Sequence, residues 1–241
     1  MTLTVASWNV LADDYIRPEY YPFSPAELLA RGQRHAGIVE RLRACSADII
    51  CLQEVDAGLL ARLDGQGFTV CKAQKRKKPD WLVTLVRGAV QSCTTLEFSD
   101  GTGHIALTVE AHGVRVTNTH LKWDGTGDFA ARQVVELLPP PSSAWILCGD
   151  LNAEPESPAL RQLLAAGLCD AYAAYPKMFT SNANQRAKRI DFLLHTQTLS
   201  AEPVQLRAVE DETPLPAHDE PSDHLMISAR FTSASASAAR R

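Results

Sequence analysis

No apolar run in this 241-residue chain approaches the ~20 residues that a bilayer span needs, so a membrane-spanning helix is not expected. No basic start precedes an apolar stretch at the amino terminus. Met1 to Val10 instead passes straight into the polar pair Trp8-Asn9, which is unlike a secretory signal. A cytoplasmic location is the expectation. No CxxC pair occurs, which excludes the usual zinc and dithiol frameworks. Cys45, Cys51, Cys71, Cys93, Cys148 and Cys169 are scattered, mostly in apolar runs, and read as reduced core residues. An excess of positive charge is also missing. A net charge of −4 argues against sequence-blind wrapping of nucleic acid, although a local basic patch can still hold one phosphate chain.

The length suits one domain with a proper core, and the composition is that of an ordinary globule. From Thr232 the chain is Ser/Ala-rich and is expected to be a disordered tail, leaving 1–231 as the folded domain. Within that span, apolar strands alternate with helices. Leu3 to Asn9, Asp48 to Val55, Val114 to Asn118, Trp145 to Cys148 and Arg189 to Leu194 read as strands. Ser24-Pro25-Ala26-Glu27 reads as a capped helix start, with Ser24 as N-cap. A helix Asp128 to Leu138 is stopped by Pro139-Pro140-Pro141.

The residues able to do chemistry sit at the ends or starts of these strands. Gly149 marks a turn that delivers Asp150 and Asn152, which offer hard oxygen ligands suited to Mg²⁺ or Mn²⁺, or able to orient water or phosphate. The bland reading of an isolated GDxN is an Asx-rich turn. Asn9, Glu54, His120, Asp191, Asp223 and His224 occupy equivalent places in their own elements. A set of oxygen donors with two histidines and no cysteine suits divalent-metal phosphoryl chemistry rather than zinc. The basic run Lys72, Lys75, Arg76, Lys77 and Lys78 reads equally as a solvated loop or a phosphate contact. Trp81 beside it, as an exposed ring able to stack on a base, favours contact.

Taken together, SWNVLADDY, ICLQEV, TNTHL, GDLNAEP, RIDFLL and SDHL, in that order, resemble the endonuclease/exonuclease/phosphatase superfamily. The resemblance spans nearly the whole chain. It implies an α/β fold, a four-layered α/β sandwich of two mixed β-sheets packed face to face with helices outside. NVLADDY, KPDW and NTHLKWD look most like the deadenylase, nocturnin and Angel-type branch, whose members cleave RNA 3′ ends or remove terminal phosphates. Apurinic-site DNA repair fits this amino-terminal loop less well.

The implied roles follow residue by residue. Glu54, helped by Asn9 and Asp223, would hold Mg²⁺, with Mn²⁺ as the alternative. Asp150 would orient or deprotonate the attacking water, Asn152 would hold water or phosphate, and His120 would donate to a phosphate oxygen. Asp191 would polarise His224. The general base stays open between Asp150 and His224, although pairing with Asp191 favours a charged, charge-stabilising imidazolium. Relatives specific for poly(A) carry a ring shortly before the strand aspartate. Here that segment is Ala183 to Arg189, with no ring, so strict adenine specificity is not expected.

Trp81, Lys78, Arg132, Arg186 and Arg189 are the expected substrate contacts. The substrate is then RNA or a nucleotide, attacked most readily at a 3′ end. A 2′,3′-cyclic phosphatase and a small-nucleotide phosphatase are the enzymatic alternatives, and an inactive RNA- or protein-binding fold would need a broken motif that is not found. A monomer with no protein-partner module is expected.

Overall fold

Strands whose consecutive residues are all apolar are buried on both faces, and they set the architecture. In β2 (Ile49–Val55), Ile49 and Cys51 join one buried cluster while Ile50 and Leu52 join another. In β8 (Trp145–Asp150), Ile146 and Cys148 join the first cluster, and Trp145 and Leu147 a third. A strand with two apolar faces has to be covered twice.

In the computed structural model, which describes residues 1–139 and 143–233, four layers supply that cover. One six-stranded sheet runs in the order β13 (Leu199–Pro203), β14 (Ile227–Ser233), β1 (Thr2–Asn9), β2, β4 (Trp81–Val86) and β3 (Thr69–Gln74). The other runs β5 (Ser92–Glu97), β6 (Ile105–Ala111), β7 (Val114–His120), β8, β12 (Asp191–Thr196) and β9 (Leu168–Asp170). Leu107, Val109, Ile146, Leu193, Ile227 and Phe231 fill the space between the sheets. Truncating one such side chain to alanine costs ~2–5 kcal/mol. Helices α1 (His35–Ala44) and α2 (Ala57–Leu63) cover the first sheet through Ile38, Leu42, Leu59 and Leu63. Helices α3 (Asp128–Glu136) and α4 (Pro158–Ala165) cover the second through Ala130, Val134, Leu160 and Leu163. Asp56 and Ser157 cap α2 and α4 by accepting the backbone N–H of Leu59 and Leu160, each cap contributing ~1 kcal/mol.

Each sheet contains one parallel neighbour pair, β1/β2 and β7/β8, among antiparallel ones. Parallel neighbours finish at the same edge of a sheet. Asn9 is therefore in register with Gln53, and His120 with Asp150. Strand β12 runs antiparallel to β8, so it starts where β8 ends, with Asp191 opposite Asp150. Beneath this rim the sheets are joined by side-chain amides. Gln53 Nε2 donates to Asn118 Oδ1 at 2.8 Å and to Ser7 Oγ at 3.1 Å, while Asn118 Nδ2 donates to the carbonyls of Leu52 and Val83.

Several local expectations change. Ser24 does not cap a helix: Ala26–Leu29 is a single 3-10 turn whose cap position is Pro25, with no side-chain cap bond. Thr232 and Ser233 are not tail but the end of β14, paired with Thr2 and Leu199; the rest of the expected tail, 234–241, lies outside the described residues. So do Pro140 and Pro141, while α3 ends at Glu136. Cys93 is exposed rather than core, and Cys45 and Cys169 are half-buried. A hairpin, β10 (Ser181–Ala183) with β11 (Arg186–Lys188), forms where the sequence shows no strand signal. No helix among the described residues is long and apolar enough to cross a membrane.

Candidate active site

Asn9 ends β1 with its side chain pinned. Its Oδ1 accepts the Leu11 N–H at 3.0 Å, and its Nδ2 donates to Glu54 Oε1 and Asp150 Oδ2, both at 3.1 Å. The amide therefore presents its NH₂, not its oxygen, to the acids. The expected part of Asn9 in holding a cation is, in this arrangement, the positioning of Glu54 and Asp150 through that NH₂. Glu54 lies where β2 shifts register against β4 between Leu52 and Val55, with φ +58°. A bulge of this kind re-aims one side chain, and holding a non-glycine residue there costs ~1–3 kcal/mol. Glu54 Oε2 accepts the Ala12 N–H at 3.1 Å.

On the facing sheet, Gly149 has φ +138°, and a Cβ there would lie 1.8 Å from the Thr119 carbonyl oxygen. Only glycine lets β7 and β8 approach this closely, and that closeness sets the spacing of His120 and Asp150. Asp150 Oδ1 accepts the Asn152 N–H at 2.8 Å. Asn152 itself has φ +47°, and its Nδ2 donates to the Leu121 carbonyl at 2.9 Å, so its Oδ1 remains for a ligand. His120 Nε2 and His224 Nε2 lie 3.7 and 3.8 Å from Asp150 Oδ2. His224 Nδ1 pairs with Asp191 Oδ2 at 2.8 Å, and Thr180 Oγ1 donates to the same oxygen at 2.7 Å. Asp223 Oδ2 accepts the Tyr21 hydroxyl at 2.9 Å. The residues Asn9, Glu54, His120, Asp150, Asn152, Asp191, Asp223 and His224 thus share one rim.

Burial dominates the electrostatics. It pushes the Glu54 carboxyl up to about 7 against the opposing pull of Lys75, and Asp150 up to about 6 against that of His224. For His224 burial opposes the charge, but Asp191, Asp223 and Asp150 outweigh it and hold its pKa well above the ordinary range. Burial and then Lys75 hold His120 well below that range. The rim therefore pairs one cationic with one neutral imidazole and holds two acids near neutrality.

Among the described residues, two groups place ligand-type atoms of three residues within 4.8 Å of one another, Asp150/Asp191/His224 and Asp13/His35/Asp56. The second is an ion-pair network that anchors the loop after β1. Arg34, fully buried, bonds Asp13, the carbonyls of Val10 and Leu11, and that of Pro221, and His35 pairs with Asp56 at 3.0 Å. Arg34 thereby ties the segment carrying Asn9 to the one carrying Asp223 and His224. At the rim a divalent cation does fit. Hard oxygen donors predominate, the buried Asp191 Oδ1 has no hydrogen-bond partner, and both raised acids lack full compensation.

The expected substrate contacts separate. Lys78 is half-buried and close enough to oppose a charge on His104 and His120. Arg132 is exposed on α3 over the Phe129 ring at 4.4 Å, and Arg186 is exposed on β11. Trp81 is not an exposed ring: it begins β4 opposite Val55 and packs against the core under α1 and α2. Arg189 is not free for phosphate, because it is buried, paired with Asp170 and stacked 4.8 Å over Phe192. The basic run is not uniformly solvated. Its Lys75 is 2% exposed and bonds Asp80 at 2.8 Å and His120 at 2.9 Å. A ring that does face solvent beside this site is Trp123, 61% exposed and three positions past His120. Its loop is fixed by Asp124, which accepts the N–H groups of Thr126, Gly127 and Phe129.

A family model described as the Endonuclease/Exonuclease/phosphatase family matches residues 6–224. The chain belongs to that family. Its sequence is 29% identical over 196 residues to Protein angel homolog 2 of Danio rerio, a match covering 66% of this chain and 34% of that protein. It is 40% identical over 95 residues to the CCR4-Not complex 3′-5′-exoribonuclease subunit Ccr4 of Phaeosphaeria nodorum, covering 36% and 16% respectively. The chain thus spans about a third or less of the length of these curated relatives. Among solved structures, ANGEL2, a 2′,3′-cyclic phosphatase, in complex with adenosine-2′,3′-vanadate superposes with TM-score 0.81 at 18% identity, over 96% of this chain and 95% of that one. The human nocturnin catalytic domain with bound sulfate gives 0.71 at 23%, over 97% and 94%. At these identities the likeness is one of fold. Within this family the chain falls beside the Angel, Ccr4 and nocturnin branch that its motifs resemble.

Proposed function

We propose that this chain is a metal-dependent phosphoesterase acting on RNA 3′ ends. The observation that carries the reading is the meeting at one rim of two buried acids pushed toward neutrality, one cationic histidine and one neutral histidine. Hydrolysis of a phosphate ester needs a base for water, donors for the phosphate oxygens and positive charge where negative charge builds up.

Glu54, with Asp223 near it, would hold Mg²⁺ or Mn²⁺. When bound, such a cation neutralises phosphate charge and eases departure of the leaving oxygen. Asp150, held at about 6, is largely ionised at neutral pH yet close enough to it to take a proton from water. Asn152 Oδ1 orients that water. The proton partner Asp191 keeps His224 charged, which fits it to stabilise the transition state rather than to act as base. His120 donates to a phosphate oxygen. Lys78, close enough to His120 to oppose a charge there, would face the substrate phosphate, and Trp123 offers a platform for a base. The β10–β11 turn at Asn184-Gln185, both at positive φ, carries no ring, so no strict preference for adenine is proposed.

Stepwise 3′-end cleavage is the first reading, supported by the sequence likeness to a 3′-5′-exoribonuclease subunit. A 2′,3′-cyclic phosphatase is the second, supported by the likeness to Angel over most of this chain. One 5′-labelled RNA, prepared with a 3′-hydroxyl or a 2′,3′-cyclic phosphate and incubated with Mg²⁺, separates them. A ladder shortening from the hydroxyl end supports the first, and conversion of the cyclic end at unchanged length the second. With both RNAs unchanged under Mg²⁺ and Mn²⁺, the proposal fails.

A further inference from the structure

Lys75 stands apart from the other lysines of its run. It follows β3 in a tight loop, its N–H donating to the Asp80 carbonyl and its own carbonyl accepting from Lys78. Its side chain is withdrawn from solvent, with Nζ 2.8 Å from Asp80 Oδ2 and 2.9 Å from His120 Nδ1. Asp80, fully buried, is braced on its other oxygen by the Tyr15 hydroxyl at 2.7 Å. The chain Tyr15, Asp80, Lys75, His120 therefore runs from the loop after β1, through the β3–β4 connection, to the last residue of β7 in the opposite sheet. A surface lysine would need none of these partners.

An ammonium has three N–H donors and no lone pair. Bonded to Lys75, His120 Nδ1 can only accept, so in the neutral ring the proton must sit on Nε2. That is the nitrogen on the Asp150 side of the ring, 3.7 Å from Asp150 Oδ2. In the other tautomer, Nε2 would turn a lone pair toward an incoming phosphate oxygen. We infer that Lys75 is a positioning residue that fixes His120 as its Nε2–H tautomer, making this ring a hydrogen-bond donor to the substrate phosphate. The donor role rests on the phosphoesterase reading above; the tautomer does not.

The test has two parts on the full chain. In ¹⁵N-histidine-labelled protein, with the resonance assigned through His120→Gln, wild type should show His120 Nδ1 as an unprotonated, pyridine-type nitrogen and Nε2 as protonated. In Lys75→Met the two should move toward each other as the tautomers mix, and Lys75→Arg, which also only donates, should keep the wild-type pattern. Because Lys75→Met strands the Asp80 charge, Lys75→Met with Asp80→Asn serves as the folding-safe version and should give the same mixing. In kinetics on RNA, loss of Lys75 should lower kcat ~10²-fold, the scale of one lost oxyanion donor, with KM little changed and most of the rate restored by arginine. A protonated Nδ1 in wild type, or an unchanged tautomer without Lys75, overturns the inference. So does a loss confined to KM, which would make Lys75 a phosphate-binding cation instead. If wild type hydrolyses no RNA, the functional reading fails while the NMR result still decides the tautomer.

Discussion

Gln53 on β2 donates to Asn118 on β7 across the space between the sheets, at 2.8 Å. This amide pair lies directly below the rim and ties the strand carrying Glu54 to the strand carrying His120. Asn118→Leu would strand the Gln53 amide and remove the donor to two buried carbonyls, so we expect a loss of ~2–4 kcal/mol. The urea midpoint measures it. Gln53→Leu with Asn118→Leu should recover part of the loss, because removing both partners leaves fewer unsatisfied groups than removing one. A single variant as stable as wild type would show that the pair does not join the sheets.

Protons and a divalent cation should compete at the rim. Glu54, Asp150 and His224 all hold their protons more tightly folded than unfolded. For such groups the folded state binds more protons, so without metal their contribution to stability falls as pH rises from about 4 through 7 and beyond. The metal-free Tm should be higher near pH 5.5 than near pH 8, and Glu54→Gln should flatten that slope. Mg²⁺ should stabilise most at the higher pH, where the acids are free of protons. Mg²⁺ stabilising more at pH 5.5 than at pH 8 would contradict this assignment.

Asp191 heads the three acids, with Asp223 and Asp150, that hold the His224 pKa up against burial. Asp191→Asn should lower kcat on RNA by ~10²–10⁴-fold with a smaller change in KM, the scale of losing a histidine's carboxylate partner. Circular dichroism should remain native. A variant with wild-type kcat would remove His224 from the chemistry.

Trp123 and Trp81 should behave oppositely. Trp123→Ala should weaken oligonucleotide binding by ~1–3 kcal/mol, the value of one stacked base, and leave Tm within a degree or two. Trp81→Ala should lower Tm and leave the KM of the surviving folded enzyme unchanged. Fluorescence anisotropy with a labelled oligonucleotide and a thermal melt decide the pair, and the reverse pattern would restore Trp81 as the base contact.

Gly149→Ala should be among the most damaging single changes. Its added methyl would lie 1.8 Å from the Thr119 carbonyl, so β7 and β8 would have to separate. We expect insoluble or strongly destabilised protein, whereas Gly101→Ala, at a turn with open space, should cost ~1 kcal/mol. Equal stability of the two variants would mean that β7 and β8 can part freely.

Much of this site was legible because each of its residues terminates or begins an apolar run. Ile49 to Leu52 and Trp145 to Cys148 announce strands buried on both faces, and Gly149 announces where one of them turns. The readings that failed depended on contacts between distant segments. Nothing in the basic run marks Lys75 as the lysine to be buried, because that choice is made by Asp80 and by His120 on the opposite sheet. Trp81 lost its expected exposure because β4 begins one residue earlier than its apolar run, opposite Val55. Arg189 was claimed by Asp170 and Phe192, partners that no local pattern reveals. Ser24 satisfied the pattern of a helix cap, but the residues after it form only one 3-10 turn.

The parallel pairing of β1 with β2 and of β7 with β8 gathers chemistry from both halves of the chain, while Asp223 and His224 come from the connection just before β14. During synthesis, a chain that has emerged only as far as β12 has Glu54, Asp150 and Asp191 but lacks both Asp223 and the His224 ring that these acids surround. The rim is then completed late, when the segment before β14 reaches it.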